Sequence, residues 1–96
     1  MPHKIRWDVD LLKQDPGSKA TFDKTSPDER AEVIAELQQW TEMFSSRQEI
    51  VDSGGLENTI TISNNRKFFL QWICGDAVEG QPGYFVIRVF IFRRMN

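Results

Sequence analysis

A single cysteine, Cys74, and a single histidine, His3, are all that this chain offers toward soft-metal or redox chemistry. One thiol excludes an intramolecular disulfide and a cysteine-built metal site. A Cys-His nucleophilic pair would need His3, beside the N-terminus, to fold back onto Cys74, so Cys74 reads as a buried structural thiol. Long apolar runs are missing too. None approaches the roughly 20 residues of a membrane span, and the opening MPHKIRWDVD lacks the apolar region of a secretory leader. The expectation is a cytoplasmic protein with no membrane contact, no cofactor and no bound metal. Positive charge is also scarce. Twelve Lys and Arg against 14 Asp and Glu leave a net charge of −2, which argues against simple electrostatic adhesion to nucleic acid.

What the chain does have is a globular composition, 40% apolar and 27% charged, at a length of 96 residues that suits a single domain spanning 1–96. Its charge is unevenly spread. Residues 20–60 carry three cations against nine acids, a balance of −6, and residues 61–96 carry five against two, a balance of +3. An acidic middle and a basic end can steer head-to-tail contacts, although a solvated helix face beside a basic strand end explains the same pattern.

Ile5, Trp7, Val9 and Leu11 alternate with Arg6, Asp8 and Asp10, which predicts a first strand over 4–12 with one face in the core. Asp15-Pro16-Gly17 then breaks the chain, and a polar connection over 13–25 follows, pinned to the core by Phe22. Ser26-Pro27-Asp28-Glu29 marks a helix start, with a capping hydroxyl, a proline where no donor is needed, and acids at the positive end of the dipole. Val33, Leu37, Trp40 and Phe44 form its apolar stripe, and the helix is expected to end between Ser45 and Ser53.

Leu56, Asn58, Ile60 and Ile62 alternate with polar residues. Beyond Asn64-Asn65, Phe68, Leu70, Trp72 and Cys74 share one face, with Phe69, Gln71 and Ile73 on the other. A three-residue loop over 64–66 sets Ile60 opposite Leu70 and Ile62 opposite Phe68. Gly80-Gln81-Pro82-Gly83 closes the next turn, and the final strand runs over 84–95. These elements define an α+β fold of order β-α-β-β-β: one long amphipathic helix packed on one face of a mainly antiparallel four-stranded sheet, the strand order being left open.

The final strand is apolar on both faces. Phe85, Ile87, Val89 and Ile91 are assigned to the helix-facing core. Tyr84, Val86, Arg88, Phe90, Phe92 and Arg94 face the other way, joined by Phe69 and Ile73 from the preceding strand. One helix shelters one face of a sheet, so this second face needs a cover. A second copy of the chain on a twofold axis, the 13–25 connection, or a ligand or foreign protein would each provide one. The reading favoured is a small soluble non-enzymatic binding or interaction protein that forms a homodimer through this face. A foreign protein partner is the next class.

Aromatic rings interleaved with arginine also make a stacking platform for single-stranded nucleic acid, which is the alternative function. With Arg66, Lys67, Arg88, Arg93 and Arg94 gathered in the basic strands that end a short α+β domain, the chain resembles in outline the RelE/ParE type of small ribonuclease toxin. That resemblance implies RNA cleavage supported by those basic residues together with a C-terminal tyrosine or histidine. The negative net charge, the single capped helix where that family has a helical pair, and the end at Asn96 without a catalytic tail depart from it.

Two further groups complete the candidates. Asp8 and Asp10 fall on one strand face, about 7 Å apart, but with no third ligand nearby they read as solvated carboxylates rather than a cation site or an acid/base pair. Trp7, Trp40 and Trp72 all occupy core-facing positions, and one tryptophan cluster between helix and sheet is expected, filling the core rather than lining a pocket.

Overall fold

The computed structural model describes residues 4–44, 47–52, 56–78 and 81–96. Its elements run β1 (Lys4–Trp7), α1 (Val9–Leu12), α2 (Pro16–Lys24), α3 (Pro27–Thr41), α4 (Arg47–Asp52), β2 (Glu57–Thr61), β3 (Lys67–Val78) and β4 (Gln81–Arg94). The fold is α+β, a four-stranded mixed sheet with helices. His3, the Ser45 and Ser53 limits set for the helix end, Gly80 and the side chain of Tyr84 lie outside the described residues.

The first strand stops at Trp7 rather than running over 4–12, because Asp8 caps a helical turn: its carboxylate accepts the Leu11 N–H at 3.2 Å. The same stretch offers apolar residues at both periods, and the cap decides for helix. Leu12 is then buried and Val9 exposed.

The connection over 13–25 is likewise not a loop but the nine-residue helix α2. Asp-Pro-Gly signals a turn, yet Pro16 at the first helical position is equally a helix start. Ser18 and Phe22 form its buried face, and Lys19 and Asp23 pair one turn apart on its surface. Ser26 caps α3 as expected, its hydroxyl accepting the Glu29 N–H at 3.2 Å. The single long helix, however, is replaced by α3, ending at Thr41, and the separate α4.

The strand order is β1-β4-β3-β2, with β1 parallel to β4 and the other two pairings antiparallel. A parallel pair needs a crossover, and the chain between β1 and β4 supplies it. In the β2–β3 hairpin Ile60 opposes Phe68 and Asn58 opposes Leu70, and the Ile62 N–H donates to the Arg66 carbonyl. The loop has three residues, as predicted, but they are Ser63, Asn64 and Asn65, one place earlier than expected. Asn65 takes the left-handed position at φ 66 that such a loop requires. The pairing moves by two along the partner strand, so every side chain keeps its expected face.

One irregularity in β4 redistributes its side chains. Trp72 opposes Val89, whereas Gln71 opposes Ile91, so Phe90 is an extra residue. Beyond this bulge the alternation changes phase. Ile87, Val89 and Phe92 therefore share the inner face, where Ile91 had been expected, with Phe68, Leu70, Trp72 and Cys74.

All four described helices contribute to the core on that face, through Leu12, Phe22, Val33, Leu37 and Ile50. Each such side chain is worth about 1.5–3 kcal/mol when fully buried. The aromatic residues split into two groups rather than one tryptophan cluster. Trp40 meets Trp72 at 6.0 Å and Phe44 at 4.9 Å between ring centres, whereas Trp7 meets Phe22 at 5.2 Å and Phe92 at 5.1 Å.

Candidate functional site: the outer face of the sheet

Each described helix feeds the inner core, and among the described residues the opposite face of β1-β4-β3-β2 is built chiefly by strand side chains. At its centre, Ile73 on β3 opposes Arg88 on β4, which in turn opposes Arg6 on β1. Toward the hairpin, Gln71 opposes Ile91, and Phe69 opposes Arg93 on one side and Thr59 on the other. Ile73 is 42% exposed, while Phe69, Phe90 and Ile91 are half-buried.

Of the residues assigned to this face from sequence, Phe69, Ile73, Val86, Arg88 and Phe90 stay on it, with Val86 beside Lys4 and itself buried. Two leave it. Phe92 is fully buried, stacked on Phe68 with ring centres 5.1 Å apart and edge-on to Trp7. Arg94 opposes Phe68 and lies on the helix side. In their place the bulge brings Ile91 and Arg93 outward. No period-two pattern could have identified them, since an inserted residue leaves no mark in a strand that is apolar at nearly every position.

The charges on the face are largely held within the chain. The Arg88 guanidinium pairs with the Asp8 carboxylate, which also caps α1. The hydrogen bond from Arg88, with a second from the Leu11 N–H, holds the Asp8 carboxyl below its usual range. The Nε of Arg88 is buried with no hydrogen-bond partner among the described residues. Arg93 reaches Asp15 at 3.4 Å, and Asp15 is itself held low, first by the Ser18 hydroxyl and then by Arg93. Glu57, at the β2 edge, accepts from the Gln71 amide at 3.0 Å. Lys4 and Arg6, at the β1 edge, make no ion pair among the described residues.

The remaining candidates are dispersed. Asp10 lies in the first turn of α1 and pairs with Lys13 at 3.5 Å, so it does not share a strand face with Asp8. Cys74 is buried beside Gly75. Among the described residues no three potential metal-ligating acids, histidines or cysteines come together, and no helix is long and apolar enough to cross a membrane.

The chain matches no protein-family model, and neither a curated protein nor a solved structure matches it.

Proposed function

We propose that this chain is a non-enzymatic binding protein that self-associates through the outer face of its sheet. One observation carries the reading: Ile73 is exposed at the middle of a long central strand, with Phe69, Phe90 and Ile91 around it, while all four described helices pack on the other side. An apolar patch beside an arginine neutralised by Asp8, with Arg93 farther out, in a domain this small, supports reading the face as an interface.

The edges of the sheet favour a second copy as the occupant. A twofold axis along the strands lays the β1 edge of one copy over the β2 edge of the other, setting Lys4 and Arg6 across from Glu57. Such a contact is isologous and self-complementary. Light scattering coupled to size exclusion in high salt tests it. Twice the 11.2 kDa chain mass is the expected result, and a monomer at all concentrations would overturn it.

A second reading, action on RNA, gains from one feature. Residues 16–24 are helical, so after β1 and the single turn of α1 come two longer helices, α2 and α3, which is nearer to the helical pair of the toxin family that the chain resembles in outline. Against this, Arg88 and Arg93 are already paired with Asp8 and Asp15, which leaves less free positive charge for phosphates. Binding to single-stranded RNA that weakens steeply with salt and is lost in Arg88→Ala would establish it, and no binding by the parent protein would end it.

A further inference from the structure

On the helix side of the sheet, away from the face just described, a hollow of about 110 Å³ opens between the end of α2 and the ends of β3 and β4. Thr21, Lys24, Thr25, Arg66, Phe68 and Arg94 line it. Three cations thus converge on one small space, brought there by three separate elements: the last residue of α2, the first residue after the hairpin loop, and the last residue of β4.

Their bonding leaves donors over. Arg66 gives Nη1 to both oxygens of Glu29, at 2.7 and 2.9 Å, and its remaining N–H groups bond to nothing among the described residues. Arg94 donates Nε to the Asn96 carbonyl, which leaves both of its Nη groups. Lys24 makes no ion pair or hydrogen bond among the described residues. Among the described side chains, Glu29 is the one carboxylate bonded to these cations, so the side chains of Lys24, Arg66, Arg94 and Glu29 together carry a charge of +2, the main-chain oxygen of Asn96 on Arg94 lying outside that sum. Thr21 and Thr25 donate their hydroxyls to the Gly17 and Thr21 carbonyls, so the two arginines and the lysine must supply the donors for any guest.

We propose that this hollow binds a small dianionic oxyanion of the phosphate class. The side-chain charge suits a dianion, and forked guanidinium groups are well suited to phosphate oxygens. Size sets the class. At about 110 Å³ the hollow suits a small guest such as one tetrahedral oxyanion and falls well short of the ~300–1,000 Å³ of a pocket for a nucleoside or similar ligand. Phe68, fully buried, gives the site a rigid floor.

Lys24 also faces the negative end of the α2 dipole, and that purely structural role predicts a loss of stability with no dependence on phosphate. The two are separated by titrating the protein with inorganic phosphate, and in parallel with chloride at matched ionic strength, while following backbone amide resonances. Saturable shifts confined to the surroundings of Lys24, Thr25, Arg66 and Phe68, seen with phosphate and not with chloride, are expected. The exposed-residue variant Lys24→Gln/Arg94→Gln should keep its dispersed spectrum and weaken phosphate binding by about tenfold or more. Identical shifts with chloride, no saturation, or unchanged affinity in the folded variant would each overturn the proposal. Phenyl phosphate forms the second arm. Affinity equal to or above that of the free ion assigns the site to a phosphate carried on an organic group, and exclusion of the ester assigns it to inorganic phosphate.

Discussion

Ser18 accepts the backbone N–H of Phe92 on its hydroxyl oxygen, at 2.9 Å and out of reach of water. The bond closes a gap in the sheet. β1 pairs with β4 from Val86 to Val89, so beyond the bulge this edge of β4 has no neighbouring strand among the described residues. α2 lies against it instead, with Ser18 supplying the acceptor and Asp15 accepting in turn from the Ser18 hydroxyl. Ser18→Ala leaves a buried donor unpaired and should lower unfolding stability by about 1–3 kcal/mol. Urea denaturation of the two proteins checks this, and an unchanged midpoint would show that the edge is sealed by something else.

The bulge at Phe90 makes a sharper prediction, because simple alternation puts Phe90 and Phe92 on the same face and the structure puts them on opposite ones. Phe92→Ala removes a ring packed among Trp7, Phe22 and Phe68 and should cost about 3–5 kcal/mol. Phe90→Ala, at a half-buried position on the outer face, should cost the monomer about 1 kcal/mol or less. Comparable losses from the two substitutions would contradict the phase change.

This pair also marks the limit of what the residues alone disclose. The inner faces of β1 and β3, the capped start of α3 and the three-residue hairpin were legible, because each rests on a local signal: alternation in Ile5 and Trp7 and from Phe68 to Cys74, the Ser26 hydroxyl, the Asn-Asn turn. The parallel β1/β4 pairing is a long-range choice with no local mark. Pro16 was legible as a break and Asp8 only as a strand residue, yet each marks a helix start, and burial of Leu12 and Phe22 goes with the helical choice. Of the described side chains assigned to the outer face, those up to Phe90 lie on it. The alternation fails from Ile91 onward, because in a strand apolar on both sides one inserted residue exchanges the faces without altering the composition of either.

Three carboxylates are held below their usual values by hydrogen-bond donors elsewhere in the chain, so acid should weaken the fold in a predictable window. Asp8 is lowered chiefly by Arg88, Asp15 by Ser18, and Glu29 by the Asn64 amide and then by Arg66. A carboxyl whose folded value is depressed stabilises the fold fully above its unfolded value, near 3.8 for Asp and 4.5 for Glu, and that contribution is lost as pH falls through the lower folded value. Urea midpoints measured across the acid range should therefore decline below those values. In Glu29→Gln the part of the decline due to Glu29 should vanish, and a variant with the parent's full acid sensitivity would count against this assignment.

Glu29 also joins the start of α3 to the hairpin. Its carboxylate receives Arg66 at 2.7 Å and Asn64 at 3.0 Å, and the neighbouring Glu32 receives the Ser63 N–H at 3.3 Å. Asn65, between these contacts, holds a left-handed conformation that asparagine and glycine tolerate and branched side chains do not. Asn65→Gly should leave stability nearly unchanged, and Asn65→Val should lower it by about 1–2 kcal/mol. Thermal unfolding distinguishes them, and equal melting of the two variants would show that the turn relaxes to another shape.

The association face can be tested without disturbing the core, since Ile73 is exposed in the single chain. Ile73→Lys should change the monomer's stability by no more than about 0.5 kcal/mol, yet weaken self-association by about tenfold or more by placing a charge at the centre of the contact. Dilution followed by light scattering measures the second effect, and an undiminished dimer would remove the outer face as the interface. Orientation is tested at the rim. If the twofold axis runs along the strands, Glu57→Lys sets a like charge against Lys4 and Arg6 of the other copy and weakens the dimer, and adding Arg6→Glu restores it. Exposed pairs are worth only about 0.2–1 kcal/mol each, so the recovery is a several-fold change in affinity at low salt that fades as salt rises. Loss in the single variant without recovery in the double one would rule out this edge pairing while leaving the central contact through Ile73 in place.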